Sequence, residues 1–65
     1  MEETKAEKFV RIGEKRVAAL IKQISLIGNL SNRNSYEYDE RQVNEIFRVI
    51  KRELKIVESQ FEKDL

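Results

Sequence analysis

Cysteine and histidine are both missing from the 65 residues of this chain. Without cysteine there is no disulfide and no thiolate metal site. Without histidine the commonest transition-metal ligand is gone, and so is the side chain that most often shuttles protons near neutral pH. Proline is absent and glycine occurs twice, at Gly13 and Gly28, so little in the chain forces a break in regular structure. Charge of one sign is missing as well: 13 Lys and Arg stand against 12 Asp and Glu, a net +1. Such a balance sets up no strong field toward nucleic acid or an anionic membrane. The longest apolar run, Val17 to Ile21, is far short of the roughly 20 residues a membrane helix needs. The opening residues Glu2 and Glu3 lack the basic, then apolar, character of a secretory leader, so the cytoplasm is the expected location.

What is present is periodic. Thr4-Lys5-Ala6-Glu7 places a Thr at a helix N-cap and a Glu three residues on, the pattern of a capping box. From there Val10, Gly13, Val17, Leu20, Ile24 and Ile27 recur in alternating steps of three and four, while Lys8, Lys15, Lys22 and Asn29 line the opposite side. A second capping box opens at Asp39-Glu40-Arg41-Gln42, with Tyr38 and Val43 spaced for a hydrophobic staple. Val43, Phe47, Ile50, Leu54, Val57 and Phe61 then fill six consecutive seam positions. The expected layout is a single domain over 1–65: a helix over about 4–27, a loop over 28–38, and a helix over about 39–63. Gly28 is expected to end the first helix through a left-handed conformation.

The apolar faces are wide. Phe9, Ile12, Ala19, Ile21 and Leu26 flank the first seam, and Ile46, Val49 and Ile56 flank the second. One antiparallel neighbour covers a single stripe, whereas a broader arc calls for two or three. A chain this short also buries only about 60% of its unfolded surface even when well folded. With disulfide and metal excluded, oligomerisation is the remaining stabiliser. The sequence therefore predicts an all-α protein, a two-helix antiparallel hairpin that assembles into a four-helix bundle as a dimer, or into a larger helical oligomer such as a tetramer. The residues expected at the oligomer interface are those of the two seams. Gly13 within the first seam fits either a close helix approach or a tolerated weak point.

The segment between the helices holds both tyrosines, three of the four asparagines and Arg33. Asn29, Asn32 and Asn34 offer hydrogen bonds, Tyr36 and Tyr38 offer stacking faces, and Arg33 can fork onto a phosphate or carboxylate. This inventory suits a small anionic ligand such as a nucleotide. The same residue types also build ordinary turns, with Tyr38 as a staple and Arg33 paired to Glu37. The run Leu26-Ile27-Gly28-Asn29-Leu30-Ser31-Asn32-Arg33 followed by Tyr36-Glu37-Tyr38 resembles a segment of small uncharacterised helical-hairpin proteins of bacteria, phages and mobile elements. That resemblance extends loosely over both helices and implies that the loop is the group's hallmark; it implies no activity.

Nothing in the chain resembles a nucleophile–base pair, a metal cluster or a Gly-rich phosphate loop, so no enzyme and no cofactor is expected. The expected function is a non-enzymatic oligomer that binds through its inter-helix loops. The alternatives are an adaptor or inhibitor that docks a protein target on an apolar helix face, and a purely structural subunit. The expected partners are copies of the chain itself, with a small anionic ligand or a protein target beside them; membrane and nucleic acid are not.

Overall fold

The computed structural model describes residues 2–65. Helix α1 runs Lys5–Gly28, a single 3-10 turn follows at Asn29–Ser31, and helix α2 runs Glu40–Glu62. Among the described residues there is no strand.

Both starts are set by the capping boxes. The Thr4 hydroxyl accepts from the Glu7 backbone N–H at 3.1 Å, and the Glu7 carboxylate accepts from the Thr4 N–H at 3.1 Å. Hydrogen bonding of the carboxylate to the Thr4 backbone first, and to its side chain second, holds the Glu7 carboxyl below its ordinary value. At α2 the Asp39 carboxylate accepts from the Gln42 N–H at 2.8 Å, and the Gln42 side chain accepts from the Asp39 N–H at 2.9 Å. Two of the four free N–H groups at each helix start are thereby satisfied locally.

The end of α1 differs from the sequence expectation. Gly28 is right-handed, with φ −58° and ψ −32°. No described residue has a positive φ. The helix tightens into the 3-10 turn, where the Asn32 N–H donates to the Asn29 carbonyl at 3.3 Å, and leaves at Asn32 with ψ 103°. The last carbonyls are met by i→i+3 bonds and by a loop side chain, so the left-handed glycine cap is not needed.

The two helices lie antiparallel. The end of α1 and the start of α2 border one cleft at the bend. At the open end the Phe9 and Phe61 rings meet edge to face, with centroids 6.4 Å apart. Between these points the rods stay apart. Closely packed helices have axes about 8–10 Å apart. Here no Cα of α1 comes within 8 Å of any in α2. A Cβ added at Gly13 would meet nothing within 4 Å. The Cα trace spans 53 × 27 × 8 Å, a flat plate one helix thick.

Such a plate has no interior. No described residue is buried. The least exposed apolar positions, all half-exposed, include Ile12, Ile27, Val43 and Ile50. The remaining seam residues are more open: Val17 retains 55% of its surface, Phe47 48% and Leu54 52%. A folded monomer of 7.7 kDa exposes about 4,300 Å². This chain exposes 6737 Å². No described helix is long and apolar enough to cross a membrane.

Candidate functional site

The bend is the part of the chain with specific tertiary geometry, and Tyr38 is its centre. The Tyr38 hydroxyl donates to the Ser31 carbonyl at 2.7 Å, joining the last residue before α2's cap to the 3-10 turn after α1. The Arg33 guanidinium lies over the Tyr38 ring, 4.1 Å from its centroid, and also donates to the Tyr38 carbonyl at 3.4 Å. A cation against an aromatic face is worth about 0.5–1 kcal/mol at an exposed site. Tyr38 itself is half-buried. It lines the bend cleft together with Val43, as the staple spacing predicts.

Asn32 organises the tip. Its side-chain oxygen accepts from the Asn34 N–H at 3.0 Å, an Asx turn. Its carbonyl accepts from the Ser35 and Tyr36 N–H groups at 3.1 and 3.0 Å. Arg33 is paired with Tyr38 and not with Glu37, because stacking on the ring lets the planar guanidinium reach a carbonyl as well.

Between the helices at the bend sits a cleft of about 390 Å³. Ile27, Leu30, Val43, Ile46 and Phe47 form apolar walls, with both tyrosines beside them. Gln42 also borders it, but its side chain is committed to the α2 cap. Glu37 is the one charged residue among those lining it. The structure thus divides the six loop residues singled out from the sequence. Tyr36 and Tyr38 line the cleft; Arg33, Asn29, Asn32 and Asn34 lie outside its lining. Leu30 was passed over as a site residue, yet the signal was visible: it is the one aliphatic side chain in an otherwise polar segment.

Elsewhere the polar chemistry is local. Arg11 makes a forked pair with Glu3 at 2.7 and 3.0 Å, which raises the Arg11 pKa. Arg48 forks onto Glu45 one turn away, and the bond holds the Glu45 carboxyl below its ordinary value. Among the described residues no ion pair joins α1 to α2, and no three potential His, Cys, Asp or Glu ligands cluster. Set against known protein families, curated proteins and solved structures, the chain matches none.

Proposed function

We propose that this chain is a non-enzymatic association module whose fold is completed by further copies of itself. The observation that carries the reading is the uncovered seam: two long, correctly capped helices with regular apolar stripes and, among the described residues, not one buried side chain. Isolated helices are marginal in water, and most helical stability in proteins comes from packing an apolar face. The surface in excess of a compact monomer is about 2,400 Å² per chain. A dimer that removed it from both copies would bury within the roughly 2,000–5,000 Å² typical of obligate assemblies.

A small ligand at the bend is the second reading, supported by the tyrosine-lined cleft of about 390 Å³, within the range of about 300–1,000 Å³ usual for ligand pockets. Its apolar walls favour the flat, apolar part of such a ligand over its charged part.

Sedimentation velocity and circular dichroism over a dilution series test association. Mass and helicity should fall together on dilution, because assembly and folding are one equilibrium. A fully helical, cooperatively melting single chain at low micromolar concentration overturns the proposal.

A further inference from the structure

The surface left open points to one arrangement of that assembly. We propose that a second copy stacks on one broad face of the hairpin with the two bends at the same end; this rests on the association reading above. Within each seam, Gly13, Ile27, Val43 and Ile50 are the more covered positions, so each helix turns that edge of its stripe toward the other. Val10 and Ile24 stand three residues before the covered Gly13 and Ile27, and Val17 four after Gly13, steps that turn a helix in the same sense; in α2 Phe47 stands three before the covered Ile50 and Leu54 four after it. Antiparallel helices seen end-on wind in opposite senses, so the same offset carries both sets to the same face of the plate. These five keep roughly half their surface exposed. The plate is 8 Å thick in its Cα trace, so a second plate can meet that face along its whole length.

A two-fold axis can join two such plates in two ways. With the bends together, each α1 lies beside the partner's α2. The Phe9–Phe61 contact shows which residues share a level. Glu14, five residues into the plate from Phe9, therefore sits within one residue of the level of the partner's Lys55, six residues in from Phe61. Arg11, which is already forked onto Glu3, sits within one residue of the level of the partner's Glu58. Both pairs are of opposite charge. Neither Glu14 nor Lys55 has an ion-pair partner within the chain among the described residues. With the bends opposed, each α2 lies beside its own copy. Lys51 and Lys55, which have no ion-pair partner among the described residues, cross the middle of that helix and would meet their own copies, like charge against like. Charge complementarity therefore selects the first arrangement. It also brings the two bend clefts to the same end of the assembly.

The chain has no native cysteine. Ser35→Cys in the full chain therefore carries one spin label per copy at the bend, where Ser35 uses only its backbone in the turn. Pulsed dipolar spectroscopy should give a separation far below the 53 Å length of the plate. A separation near that length overturns the arrangement while leaving association intact. A monomer in sedimentation, with no dipolar coupling, overturns both. Independently, Glu14→Lys should weaken association roughly ten-fold, since two equivalent contacts turn from attraction to repulsion. Adding Lys55→Glu to it should restore association. Failure of the double reversal to do so counts against bend-to-bend stacking.

Discussion

The bend and the pair of rods it joins are built on opposite terms. At the bend, Ser31, Asn32, Arg33 and Tyr38 meet at hydrogen-bond and stacking distance, and a cleft with defined walls results. Along the rods, apolar residues in regular register touch little beyond the Phe9–Phe61 contact. Directional polar contacts can be satisfied within one chain of eleven loop residues. Burial of apolar area cannot, because two rods side by side always leave their outer arcs in water. The difference separates the contacts that one copy completes from the apolar surface that it leaves open.

The comparison breaks most sharply at Leu54. In a lone chain Leu54 is 52% exposed, so Leu54→Ala should cost little. If a second copy covers it, the same substitution should cost about 2–5 kcal/mol per site. Denaturant titrations at several protein concentrations distinguish the outcomes, and a small, concentration-independent loss means the rods are not covered.

Gly13 sharpens the question of the gap between the rods. A Cβ there has open space within the chain, and alanine in a helix interior is favoured over glycine by about 1 kcal/mol. Gly13→Ala should therefore raise stability by about that amount in thermal melts. A loss would mean that another backbone approaches this position in the assembly.

The smallest effect belongs to the bend. Tyr38→Phe keeps the ring under Arg33 and removes the bond to the Ser31 carbonyl. A solvent-accessible hydrogen bond of this kind contributes about 0.5–1 kcal/mol. The loss should appear as faster amide exchange at the bend with the oligomeric state unchanged. A change in subunit number would place Tyr38 in the interface.

Much of this was legible beforehand where the cause is local. Thr4 with Glu7, and Asp39 with Gln42, act within one helical turn, and both capping boxes form as read. Seam periodicity specified two helices and no strands. The end of α1 departs from the left-handed cap that Gly28 alone implies. The 3-10 turn that replaces a left-handed cap ends at Ser31, whose carbonyl depends on a tyrosine seven residues away. Arg33 departs likewise: sequence proximity points to Glu37 as its partner, and the guanidinium lies on the Tyr38 ring instead.

By itself the sequence determined the helix starts and the apolar stripe each helix carries, because capping and amphipathic spacing are set within a few residues. Only the tertiary structure decided how Tyr38 clasps the bend, that a mostly apolar cleft opens there, and that the rods stand apart with their seams uncovered. Those outcomes depend on groups brought together across the turn, whose distances no spacing along the chain encodes.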